Sequence, residues 1–134
     1  MDIIDGFYNH IVLRIPPDNL THILQRIKNK TEQEIENIKS KISKYEEKKR
    51  AEAALYQSLT PFKKLFAGRP PSHHQAVEYM FFVKERFKKI DKLKKRIDDI
   101  EGVIQLLGES KTDKIVLSSA LIKEIKAFKE MEER

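Results

Sequence analysis

From Ala76 to Leu107 the chain carries two interlocked seven-residue series. One is Ala76, Val83, Ile90, Ile97 and Ile104. The other is Tyr79, Arg86, Leu93, Ile100 and Leu107, in which Arg86 is the one departure from apolar character. Met80 and Phe87 widen the early part. A heptad repeat confines burial to a narrow strip along a helix, and a narrow strip suits one partner helix rather than a broad core. The spacing predicts a long helix over 73–107, capped by Ser72 behind the stiff Arg69-Pro70-Pro71 connector and ended by Gly108.

The partner helix lies in the same chain. Residues 19–58 follow Pro16-Pro17, with Asp18 or Asn19 as cap. Leu24, Thr31, Ile38 and Tyr45 repeat every seven residues, and Ile35 and Ile42 supply the second position of the strip. The pattern loosens at Lys48-Lys49-Arg50-Ala51-Glu52-Ala53-Ala54. At 1.5 Å per residue the two helices are about 60 Å and about 50 Å long. Matched lengths and a short connection favour antiparallel neighbours, and a fold-back near residue 65 gives partners whose numbers sum to about 130. In that register Ile97 faces Gln33–Ile35 and Ile90 faces Lys39–Ile42. Charge supports a high surface-to-core ratio: Asp, Glu, Lys and Arg make up 36% of the chain, against about 25% in an ordinary domain.

Shorter elements flank this pair. Phe7–Ile15 is rich in β-branched and aromatic residues, and Ile11, Leu13 and Ile15 alternate to one face, so 7–15 reads as a strand. Lys114 to Ser118 reads as a second strand, with one helix from Thr112 onward as the competing reading. Ser118 or Ser119 can cap a last helix over 119–133 that carries Leu121, Ile122, Ile125 and Phe128 on one side. The expected fold is mainly α: a long antiparallel coiled-coil helical hairpin with a short tip helix, a small two-stranded β element and a C-terminal helix at the open end. It forms a single elongated domain over 1–134. Two strand edges left open at that end predict a homodimer.

Thr60-Pro61 opens the tip helix over 61–67, closed by Gly68. Phe62, Leu65 and Phe66 form an apolar face ringed by Lys63, Lys64 and Arg69. Such a knob on a stalk suits partner binding; the alternative is a plug folded back over Tyr56, Leu59, Tyr79 and Met80. A second candidate is the stretch Lys84–Arg96, where Lys84, Lys88, Lys89, Lys92, Lys95 and Arg96 offer a stripe able to track phosphates. Its only aromatic is Phe87, which is poor provision for base stacking. The alternative there is a solvated flank neutralised by Glu34, Glu36, Glu46 and Glu47 of the first helix.

Catalytic chemistry has no foothold in the sequence. There is no Cys, no Gly-rich phosphate loop, and no His-x-x-x-His or Glu-x-x-His spacing. His73-His74 point about 100° apart on a helix and share one metal poorly. Asp98-Asp99 and Glu46-Glu47 lie among bases on helix surfaces rather than in apolar settings that raise a carboxyl pKa. Ser118-Ser119 has no activating companion.

The expectation is therefore a non-enzymatic protein–protein interaction module, an adaptor, assembly factor or inhibitor, with no cofactor and no small-molecule substrate. It binds another protein through the hairpin tip or flank. The alternative is a basic nucleic-acid-binding protein using the Lys84–Arg96 stripe; the formal charge of +6 permits this without demanding it. Acids at Asp2 and Asp5 oppose a signal peptide, and no apolar run approaches the ~20 residues of a membrane span, so a cytoplasmic setting is expected. Abundant Lys and Ile point to an AT-rich genome, bacterial or phage.

Overall fold

The computed structural model describes residues 1–58, 77–109 and 113–133, with Tyr56 described by its backbone alone. The class is mainly α. Strand β1 (Asp2–Asp5) and strand β2 (Ile11–Arg14) precede helix α1 (Pro17–Ser58). A π-helical turn (Met80–Lys84) leads into helix α2 (Glu85–Glu109). Strand β3 (Lys114–Leu117) and helix α3 (Ser119–Glu132) complete the described order. The expected tip helix over 61–67 lies outside the described residues. The residues form two compact units: 1–32 with 95–134, and 33–94.

The first unit is built around a three-stranded sheet in the order β2-β1-β3, not the two-stranded element expected. β1 runs antiparallel to β2 and parallel to β3, pairing Ile3 with both Leu13 and Ile115. The expected strand over 7–15 is shorter than its composition suggested. Its first part is a turn because the Asp5 carboxylate accepts the backbone N–H groups of Phe7 (2.8 Å) and Tyr8 (3.2 Å). Asn9 then takes a left-handed conformation, φ 57°, which Asn tolerates better than most residues.

Alternation fixes the two faces along β1 and β3, while a register shift on β2 sets Ile11 opposite Ile4 and packs both Val12 and Leu13 against the core. Ile3, Leu13, Ile115 and Leu117 belong to the core with Leu20, Ile23, Leu24 and Ile27 of α1 and Ile100 of α2. α3 closes this core with Leu121, Ile122, Ile125 and Phe128, all buried. Of the two caps expected for this helix, Ser118 is the one used: its hydroxyl accepts the Leu121 N–H at 3.3 Å. Residues 114–117 are strand, which removes the reading of a continuous helix from Thr112. Lys28 of α1 reaches Glu101 of α2 at 2.8 Å. That contact, more than the opposing burial of Lys28, raises the pKa of the lysine.

Asp5 ties three segments of this unit together. Besides the turn amides, its carboxylate accepts the Ser119 hydroxyl at 2.9 Å on both oxygens. Burial alone would raise its pKa. The hydrogen bonds from Phe7, Ser119 and Tyr8, with the nearby His10, outweigh burial and hold it below the ordinary aspartate value. A carboxylate whose pKa is lower folded than unfolded stabilises the fold above the unfolded value, and that stabilisation disappears as pH falls through the folded value. Acid titration of thermal stability should therefore show a loss below about pH 4 that is smaller in Asp5→Asn. Equal acid sensitivity in the two proteins would remove Asp5 from this role.

The second unit buries a narrower strip. Ile35, Ile38 and Ile42 of α1 and Val83, Ile90 and Leu93 are its buried apolar residues. Tyr45 and Phe82 stack at 4.4 Å with ring planes 21° apart, and Lys49 lies 3.4 Å from Glu78. Three residues expected in the strip depart from it: Tyr79 is 47% exposed, Met80 50% and Phe87 49%. The π-helical turn over Met80–Lys84 accounts for Tyr79 and Met80, because its wider i→i+5 bonding offsets the apolar phase of what precedes it. Phe87 sits at the margin of the strip, off the line of Val83, Ile90 and Leu93.

Candidate partner-binding site

Three large apolar residues in a row, Met80-Phe81-Phe82, cannot all face inward on a helix, where successive side chains point about 100° apart. Phe82 is half-buried against Tyr45. Phe81 is left 72% exposed, with Tyr79 and Met80 half-exposed beside it. Beside Phe81 lies a shallow groove of about 380 Å³ lined by Glu78, Phe81, Phe82 and Arg86.

Arg86, the one polar residue in the heptad series, has a definite place here. Its guanidinium carbon stands 4.1 Å from the Phe82 ring centroid, a cation–π distance. Phe82 is thus held between Tyr45 on one side and Arg86 on the other. Glu78 supplies the opposite charge at the rim. Burial raises the Tyr45 pKa, and the Glu78 carboxylate raises it further. Burial works against the charge of Lys49, but Glu52 and Glu78 outweigh it and raise that pKa too. The groove has an aromatic wall at Phe82, an exposed aromatic lip at Phe81, and one group of each charge.

Among residues expected to bind a partner, Phe62, Lys63, Lys64, Leu65, Phe66 and Arg69 lie outside the described residues. Those of the basic stripe divide. Lys84, Lys88, Lys89 and Lys92 are exposed in the second unit; at 100° per residue Lys84, Lys88 and Lys92 fall on the side away from Ile90 and Leu93. Lys88 pairs with Glu85 of its own helix at 3.2 Å. Among the described residues no ion pair joins this stretch to Glu34, Glu36, Glu46 or Glu47, because the lysines point away from the buried strip. In the first unit Lys95 is exposed, whereas Arg96 is half-buried and pairs with Glu124 of α3.

The histidines take separate positions. His22 lies 3.4 Å from Glu132, which also pairs with Arg26 at 2.7 Å, and His10 is exposed near Tyr8. His73 and His74 lie outside the described residues. No helix among the described residues is long and apolar enough to cross a membrane.

In the sequence the heptad strip masks this groove. The Met80-Phe81-Phe82 run was the available signal.

The chain matches no family model, and no curated protein or solved structure is similar to it.

Proposed function

We propose that this chain is a non-enzymatic protein–protein interaction module whose contact surface includes the groove beside Phe81. The observation that carries the reading is Phe81 itself, a large aromatic left 72% exposed at the edge of a groove whose other wall is pinned. Aromatic residues are enriched among the anchors of protein interfaces. The partner is expected to insert an apolar side chain and to present a carboxylate to Arg86, the basic residue of the groove's lining. Phe62, Leu65 and Phe66, with Lys63, Lys64 and Arg69, extend this proposal on sequence grounds. A cytoplasmic setting, compatible with a chain without cysteine, belongs to the same proposal.

The test uses the chain as bait in extract from its own source cell. Phe81→Ala should weaken capture of the partner about tenfold or more, in line with about 2 kcal/mol for an aromatic anchor. The double change Phe62→Ala with Phe66→Ala should do the same. Unchanged capture by Phe81→Ala would remove the groove from the contact surface.

A nucleic-acid reading keeps support from the exposed faces of Lys84, Lys88 and Lys92 with Phe81 and Phe87 beside them. It predicts retention that nuclease abolishes, that fades steeply between low and physiological salt, and that Lys88→Glu with Lys92→Glu removes.

A further inference from the structure

The sequence holds one Asp-Gly pair, Asp5-Gly6, and no Asn-Gly pair. An Asp-Gly pair is a chemical weak point in a flexible chain. The glycine backbone nitrogen attacks the aspartate Cγ, an N–Cγ bond forms, the Cγ–O bond breaks, and the carboxyl oxygen leaves as water. The succinimide so formed takes up water at either carbonyl. One product is aspartate again. The other is isoaspartate, in which the main chain runs through the former side chain and is one carbon longer. Glycine favours the reaction because it has no Cβ to hinder the approach and leaves the backbone free to rotate.

The fold nevertheless needs glycine here. A Cβ on Gly6 would stand 3.3 Å from the Leu117 carbonyl oxygen and 3.3 Å from Cγ1 of Val116, closer than such carbons ordinarily pack. The same approach to β3 restrains the reacting groups. The Gly6 N–H donates to the Leu117 carbonyl at 2.9 Å, which fixes the peptide plane of the attacking nitrogen. The Asp5 carboxylate accepts the Phe7 and Tyr8 amides on Oδ1 and the Ser119 hydroxyl on both oxygens, so its side chain is held away from that nitrogen. Burial by itself favours the protonated carboxyl, the form from which water leaves. The hydrogen bonds outweigh burial and keep that form scarce.

We propose that Asp5-Gly6 is a latent isomerisation site, closed in the folded protein by Leu117 and Ser119 and open whenever β3 and the start of α3 leave β1. Both closing residues belong to the β3–α3 segment, so protection depends on the parallel pairing of β1 with β3. The change is also incompatible with return to the fold. An added main-chain carbon displaces Gly6 from Leu117 and disturbs the bond from the Asn9 N–H to the Asp5 carbonyl, 2.7 Å long in the intact turn. It also removes the side-chain carboxylate that Phe7, Tyr8 and Ser119 bind.

The test follows isoaspartate in the intact chain. Methyl transfer from S-adenosylmethionine by an isoaspartyl methyltransferase measures its amount, and fragment mass spectrometry places it in the sequence. In mildly acidic buffer the folded chain should form it at Asp5 more slowly than the urea-unfolded chain by about tenfold or more, because reaction then requires local opening. Ser119→Ala removes a hydrogen bond to a charged group and should raise the folded chain's rate about tenfold. Ser119→Thr keeps the hydroxyl and should stay near wild type, and neither variant should alter the rate in urea. Equal rates in folded and unfolded wild type would overturn the proposal, and that comparison stands even if Ser119→Ala fails to fold. A folded Ser119→Ala protein that reacts no faster than wild type would overturn it too.

Discussion

Ile100→Asp should unfold the first unit outright. Ile100 has no exposed surface and stands in one core cluster with Ile3, Leu24, Ile27 and Ile125, so that a strand and two other helices share its core. An aspartate there would place a carboxylate among apolar groups. An aspartate buried there without a partner must stay charged in an apolar setting or take up a proton, and either way the cost is comparable with the roughly 5–15 kcal/mol that stabilises a typical domain. Ile100→Ala separates cavity from charge: it removes methyl and methylene groups only and should cost about 2–5 kcal/mol. The expected result is loss of cooperative melting with Ile100→Asp and a lowered but cooperative melt with Ile100→Ala, read by circular dichroism. Native-like melting of Ile100→Asp would reject this core.

Phe128→Ala is the second large effect. Phe128 is 8% exposed and anchors the far part of α3 in the same core. Arg26 and Lys30 of α1 stand over its ring at 5.7 and 5.6 Å. Removing a buried Phe costs about 3–5 kcal/mol. Phe128→Leu keeps most of the apolar volume but loses the π face. Each exposed cation contributes about 0.5–1 kcal/mol to such a contact, so Leu should fall between wild type and Ala, and further substitution of Arg26 or Lys30 should matter less in the Leu background. If Phe128→Leu and Phe128→Ala are equally damaging, volume is not what holds α3, and the packing described here fails.

How much of this was legible in the sequence depends on the range over which each element is specified. The strip through Ile90, Leu93, Ile97 and Ile100 is a local periodicity, and all four residues are buried. The last helix was legible for the same reason: a cap at Ser118 and four apolar residues on one side are local facts. β1 was not. Asp2-Ile3-Ile4-Asp5 has only two apolar residues, and half of its pairing comes from Lys114–Leu117, a relation no short window contains. Phe7 and Tyr8 have strand-forming composition but are bent into a turn by one neighbouring carboxylate, Asp5. The groove at Phe81 depends on a π-helical turn, and residue propensities carry little information about that. The fold class was therefore readable and the sheet was not. The candidate site was readable only as a heptad exception at Arg86 and an apolar surplus at Met80-Phe81-Phe82.

The parallel pairing of β1 with β3 has a consequence for synthesis. Ile3 finds Ile115 as its neighbour, so β1 leaves the ribosome long before the strand it pairs with in parallel. At about 5–20 residues per second, β1 spends on the order of ten seconds paired at most with β2, one side open and its apolar face uncovered. Contacts this remote in sequence slow folding. The hairpin of β1 and β2 is short and marginal alone. During elongation, the nascent chain is therefore a set of helices trailing an unfinished sheet, and a factor that shields Ile3 and Ile4 in that interval would act on folding yield without touching the finished protein.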